Sequence, residues 1–112
     1  MIQVKTPLWS PSTAFMQQSN MRHYMDWIKK KKQLSFENYD DLWEWSVTNI
    51  ASFWESLWEY FAIKSNSPYL SVLDKPAQGM IGTKWFAGAT VNYAEYIFRN
   101  KTTDSPAIIF QS

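Results

Sequence analysis

Tyr39-Asp40-Asp41-Leu42-Trp43-Glu44-Trp45-Ser46-Val47, continued by Thr48-Asn49-Ile50-Ala51-Ser52-Phe53-Trp54-Glu55-Ser56-Leu57-Trp58-Glu59-Tyr60-Phe61, is the stretch that decides the fold class. Tyr39, Leu42, Trp43, Val47, Ile50, Phe53, Trp54, Leu57, Trp58 and Phe61 recur by steps of three and four, the period of an amphipathic helix. Asp40 and Asp41 fall in the first turn, where the positive end of the helix dipole favours carboxylates. Thr48 and Asn49 are weak helix formers, and Asn49 can cap a new start at Ile50. The reading is two consecutive helices whose shared stripe is too wide and too aromatic to face water. Trp45 falls off that stripe and Tyr60 largely does, which marks both for contact with something outside this chain.

Upstream, Ser10-Pro11 places a capping hydroxyl before a proline suited to the first helical position. Ala14, Met21, Tyr24, Met25 and Ile28, widened by Met16 and Trp27, continue at helical spacing to about residue 31. Lys29-Lys30-Lys31-Lys32 closes that helix where cations complement the dipole, so a solvated helix end outweighs a phosphate or lipid contact. Downstream, residues 65–84 carry Ser67-Pro68, Lys75-Pro76, Gly79 and Gly82 and read as a long irregular loop, with residues 69–73 as a short extended stretch. A loop of that length usually wraps something. Asn92, with Glu95 after it and Val91 before it, then caps a last helix. Ala107-Ile108-Ile109-Phe110 is a short apolar run after turn residues, the start of a buried strand with no partner in sight. Unpaired, it invites a second chain, so a homodimer through this strand is possible.

Composition bounds the function. The 112 residues make one domain at most, and 7 Trp, 6 Tyr and 7 Phe supply most of its apolar material. Eleven basic residues against 10 acidic ones give no electrostatic reason for nucleic acid or an anionic membrane. Without cysteine there is no disulfide, thiolate metal site or thiol nucleophile. No apolar run has the length of a secretory signal or a spanning helix, so a cytoplasmic chain is expected. His23 lacks evident triad or metal partners, and Asp40 and Asp41, adjacent in sequence, point to different sides of a helix. Gly79-Met80-Ile81-Gly82 has the bare spacing of an RNA-clamping loop but no charge for phosphate and no matching flanks. No catalytic, cofactor-binding or metal residue is assigned.

The order of motifs says more. Pro7-Leu8-Trp9-Ser10-Pro11, Asn38-Tyr39-Asp40-Asp41-Leu42-Trp43-Glu44-Trp45-Ser46-Val47 and Phe53-Trp54-Glu55 are followed, after the long loop, by Met80, Gly82, Trp85-Phe86, Gly88-Ala89 and Asn92-Tyr93-Ala94-Glu95. The succession resembles the N-terminal region of acetoacetyl-CoA synthetases over essentially the whole chain. Acetyl- and propionyl-CoA synthetases share its Trp-Phe, Gly and Asn skeleton and are the nearest alternative. Ala87 stands where proline or lysine is frequent, and Val91 where leucine is usual. The resemblance implies a mainly α fold: a cap of about four helices over residues 1–106, then residues 107–112 as the first strand of an absent α/β AMP-binding domain. It implies a parent enzyme that uses ATP, magnesium and CoA to make acetoacetyl-CoA, AMP and pyrophosphate. Its phosphate loop, ribose-binding aspartate and catalytic lysine lie further along than Ser112. The segment alone is then no enzyme, and its partner is the remainder of the same polypeptide. A self-standing helical interaction module, docking through Trp45, Tyr60 and the tail, is the competing class; peripheral membrane binding beside the lysines is a third.

Overall fold

The computed structural model describes residues 6–76 and 79–111. Among them are five helices and one two-stranded antiparallel sheet, so the chain is mainly α. It divides into two compact units, residues 1–48 and 49–112.

The first unit holds α1 (Thr13–Gln17), α2 (Asn20–Lys32) and α3 (Tyr39–Thr48). The single helix expected from Pro11 onward is two. Ser12, not Ser10, caps the first, accepting from the Phe15 amide at 3.2 Å. Ser19 makes the break: its hydroxyl donates to the Met16 carbonyl at 2.7 Å and accepts from the Arg22 amide at 3.2 Å. One side chain thereby closes α1 and opens α2, the local competition with the helix ladder for which serine is suited. The lysines end α2 as expected, and Gln33 takes the left-handed conformation (φ 58°) that stops it. Asn38 caps α3 by accepting from the Asp41 amide, while the Asp41 carboxylate accepts from the Glu37 amide, a reciprocal cap. The buried apolar side chains of this unit are Tyr24, Met25 and Ile28 on α2 and Leu42 on α3.

The second unit holds α4 (Ile50–Tyr60), β1 (Ser71–Asp74), β2 (Lys84–Ala87) and α5 (Tyr93–Phe98). The break at Asn49 is where the sequence puts it, although the Asn49 side chain makes no capping bond. The short extended stretch expected at residues 69–73 is largely borne out by β1. β1 pairs with β2 in the register Ser71 with Ala87, Leu73 with Trp85 and Asp74 with Lys84. β2 contains Trp85-Phe86, which the period analysis leaves in a loop because four residues are too few to show alternation.

The aromatic stripe is covered only in part. On α3 the covered positions are Leu42, Trp45 and Ser46; on α4 they are Ile50, Phe53, Glu55, Ser56, Leu57, Trp58 and Tyr60. The covered side is rotated from the expected centre, so half of the stripe, Tyr39, Trp43, Val47, Trp54 and Phe61, is exposed. A helix apolar on nearly every side has no unique phase in its sequence. Residues 107–111, expected to enter the sheet of a following domain, are not in a strand here, and Ile108, Ile109 and Phe110 are exposed. A strand needs a neighbour for its backbone groups, and among the described residues none is beside it.

Candidate functional site

The residues with most specific geometry lie where the β1–β2 hairpin meets α4. Leu57 and Trp58 hold half-buried positions one turn beyond Phe53 and Trp54. Trp58 stacks on Phe86 with centroids 4.4 Å apart and 27° between planes, and meets Tyr69 edge-on at 5.6 Å. Tyr69 also meets Phe86 edge-on at 5.4 Å, closing a three-ring cluster. Trp54 meets Trp85 at 5.5 Å and 64°. Each such contact contributes about 0.5–1.5 kcal/mol beyond the area it buries. Phe86 reaches its place with φ 46°, a conformation costly for a residue with a side chain.

A polar clasp runs beside the rings. The Tyr69 hydroxyl donates to the Glu55 carboxylate at 2.8 Å, and Glu55 extends from the neighbouring turn of α4. That bond stabilises the neutral phenol, and burial with the charges of Glu55 and Glu59 adds to it, so Tyr69 titrates above its ordinary 10.0.

The hairpin is prolonged by a zipper of loop residues. The Leu70 amide donates to the Ala87 carbonyl at 2.7 Å and the Asn66 amide to the Thr90 carbonyl at 3.0 Å. The Ser67 hydroxyl donates to the Gly88 carbonyl at 2.6 Å, and the Ser65 hydroxyl accepts from the Thr90 amide at 3.0 Å. Gly88 sits inside this zipper at φ 92°. A Cβ there would lie 3.3 Å from Leu70 Cγ and 3.4 Å from the Pro68 carbonyl oxygen. A side chain at Gly88 would crowd this close approach, and the backbone angle separately disfavours other residues.

α5 is fixed from both ends. Asn92 Oδ1 accepts from the Glu95 amide at 3.1 Å, the expected cap. Arg99, just past the helix, donates to the Ala62 carbonyl at 3.0 Å and to the Tyr96 hydroxyl at 3.1 Å, its guanidinium 4.0 Å from the Tyr96 ring centre. Ala62 is the left-handed residue (φ 48°) that terminates α4, with the Ile63 amide donating to the Trp58 carbonyl and the Ala62 amide to the Glu59 carbonyl. Arg99 thus brings a cation to the negative end of α4. Lys64, Asn92, Glu95, Tyr96 and Arg99 line a small cleft there.

Other singled-out residues fall elsewhere. His23 is exposed on α2, and Lys29, Lys30, Lys31 and Lys32 are exposed at its end. Gly79 and Gly82 take positive φ in a turn that leaves Met80 and Ile81 exposed. Trp45 and Tyr60, expected to face outward, are half-buried; Trp45 lies 5.3 Å from the Phe36 ring and Tyr60 meets Phe61 at 5.0 Å. Among the described residues no three His, Asp or Glu side chains converge to hold a metal. No helix among them is long and apolar enough to cross a membrane. Sequence reasoning misses Tyr69, Glu55 and Arg99, which work in pairs distant along the chain; the available signal was one arginine after an otherwise uncharged turn.

The geometry is that of a joint: rings, a zipper and a cation fastening a hairpin and a short helix to α4. Comparison with known proteins finds the same region. Residues 39–96 match the family described as acetyl-coenzyme A synthetase N-terminus. The chain is 31% identical over 110 residues to the acetoacetyl-coenzyme A synthetase of Rhizobium meliloti, covering 98% of this chain and 16% of that protein. It is 33% identical over 88 residues to the malonamoyl-CoA synthetase of Penicillium aethiopicum, covering 79% of this chain and 12% of that protein. Among solved structures, an acetoacetyl-CoA synthetase from Streptomyces lividans superposes with a TM-score of 0.77 at 32% identity, over 85% of this chain and 15% of that one. The chain therefore spans about one-sixth of the length of its relatives.

Proposed function

The chain belongs to the acetyl-coenzyme A synthetase N-terminus family, and from that premise we propose that it is the N-terminal structural region of an acetoacetyl-CoA synthetase. The observation that carries the reading is the agreement of sequence and fold with acetoacetyl-CoA synthetases over 98% and 85% of the chain. In the whole enzyme acetoacetate and ATP give acetoacetyl-AMP and pyrophosphate, and CoA then displaces AMP to form the thioester. ATP, magnesium and CoA are held by residues beyond this chain, in the cytoplasm. Residues 1–106 form the cap, and residues 107–112 become a strand on pairing with the following α/β domain. Their apolar, exposed state here supports that assignment, since Ile108, Ile109 and Phe110 gain a covered environment only by docking.

This segment contributes scaffolding rather than chemistry. The joint fixes the direction in which the chain leaves α5, and hence where the tail is delivered. The test is an assay of the complete polypeptide that carries these residues. Release of AMP and pyrophosphate is expected with acetoacetate and CoA, and not with acetate. Malonamate as the preferred acid would move the protein to the other relative's chemistry. A polypeptide ending at Ser112, or one releasing no AMP with any short acid, would sink the proposal.

A further inference from the structure

The cleft beside α5 is lined by charges that have not paired with one another. Asn92, Glu95, Tyr96 and Arg99 fall three and four positions apart and so lie along one side of α5 and its flanks, and Lys64 joins them from the segment after α4. On α2 the same spacing makes an ion pair, Arg22 with Asp26 at 3.2 Å. Glu95 and Arg99 are also four apart, yet among the described residues neither Arg99 nor Lys64 pairs with Glu95. Arg99 is turned instead to the Ala62 carbonyl and the Tyr96 hydroxyl. Those bonds use two of its N–H groups and leave the rest of the guanidinium fork. Asn92 gives its Oδ1 to the Glu95 amide and keeps both hydrogens of its NH2 group. Lys64 makes no hydrogen bond or ion pair with a described residue.

We propose that this cleft is a binding site for inorganic phosphate. Size and charge set the class of ligand. The space is about 270 Å³ including the part open to solvent, short of the roughly 300–1,000 Å³ of a pocket for a drug-sized molecule and ample for one small ion. Two cations and an amide against one carboxylate favour an oxyanion.

Glu95 narrows the choice. A carboxylate repels an anion unless that anion brings a proton to share with it. At neutral pH free phosphate keeps a proton on oxygen and sulfate keeps none, while a phosphate monoester sheds its second proton near pH 6, about one unit lower. Free phosphate is the one of the three that accepts from Lys64, Arg99 and Asn92 while donating to Glu95. Lys64 belongs to the chain just past α4 and the other four residues to α5 and its caps, so a bound phosphate fastens the two elements together and stabilises their joint by mass action.

The experiment is hydrogen exchange read by mass spectrometry on the complete polypeptide at about pH 7.5, with sodium chloride holding the ionic strength constant. The peptide covering residues 92–99 should exchange about threefold more slowly when phosphate stands at twice its dissociation constant, in the millimolar range. Sulfate and glycerol phosphate should leave it unchanged. Lys64→Gln should abolish the protection and Lys64→Arg restore it, whereas Glu95→Gln should let sulfate protect as well. Because the readout is local to α5, phosphate bound elsewhere in the polypeptide leaves these comparisons intact. Equal exchange in phosphate and chloride overturns the proposal. So does protection that survives Lys64→Gln, protection of the native protein by sulfate or glycerol phosphate, or a Glu95→Gln protein that still refuses sulfate.

Discussion

Tyr69 shows how one side chain ties three elements together. It precedes β1, its ring touches Trp58 of α4 and Phe86 of β2, and its hydroxyl donates to Glu55. Replacing it with phenylalanine keeps the rings in contact but leaves the Glu55 carboxylate short of a donor. Tyr69→Phe is expected to cost about 1 kcal/mol near neutral pH, read from urea unfolding. The pH dependence has a definite sign. Because the folded state holds the phenol neutral, Tyr69 titrates above 10.0 when folded and close to that value when unfolded. Its contribution is complete below pH 10.0 and is lost as pH rises through the folded value, since the unfolded state releases the proton first. The difference between native and Tyr69→Phe proteins should therefore shrink on the alkaline side. A difference that stays constant with pH would show that the hydroxyl is not held by Glu55.

At the scale of elements, α4 is stopped by geometry normally given to glycine. Ala62 takes φ 48°, its amide and that of Ile63 make the two bonds of the terminating turn, and Arg99 then occupies the Ala62 carbonyl. A left-handed alanine costs roughly 1–2 kcal/mol, part of which glycine would return in extra freedom of the unfolded chain. Ala62→Gly is thus expected to raise stability by about 0.5–1 kcal/mol by the same cap argument. A fall in the urea midpoint would mean that the Ala62 methyl packs more usefully than its backbone angle suggests. Much of this scale was legible in the sequence. Asn92 and Asn49 mark helix starts. Legibility failed where one residue serves two neighbours, as Ser19 does between α1 and α2. It failed again where apolar residues surround a helix, as on α3 and α4, because periodicity reports a phase only when another face is polar. The pairing of the hairpin escaped for a third reason: β1, foreshadowed by the extended stretch at residues 69–73, and β2 are four residues each, held by partners 10 to 16 positions apart in sequence.

For the whole molecule, the chain supplies well-tied elements and leaves apolar surface unspent. Trp43, Trp54 and the tail from Ile108 to Phe110 are exposed, while the polar bonding is mostly local. The proposed function puts the nucleotide site beyond this chain. Titration of magnesium-ATP into the isolated chain is expected to give no binding heat, and the complete polypeptide a saturable one; micromolar binding by the chain alone would relocate the nucleotide site. The aromatic joint has another consequence. Two indoles held 5.5 Å apart and inclined by 64°, as Trp54 and Trp85 are, share their electronic excitation and form a chiral pair. The circular dichroism of the folded chain should therefore carry a split tryptophan band that Trp85→Phe abolishes. Because the pair spans helix and hairpin, that band is a built-in optical gauge of whether the joint is closed.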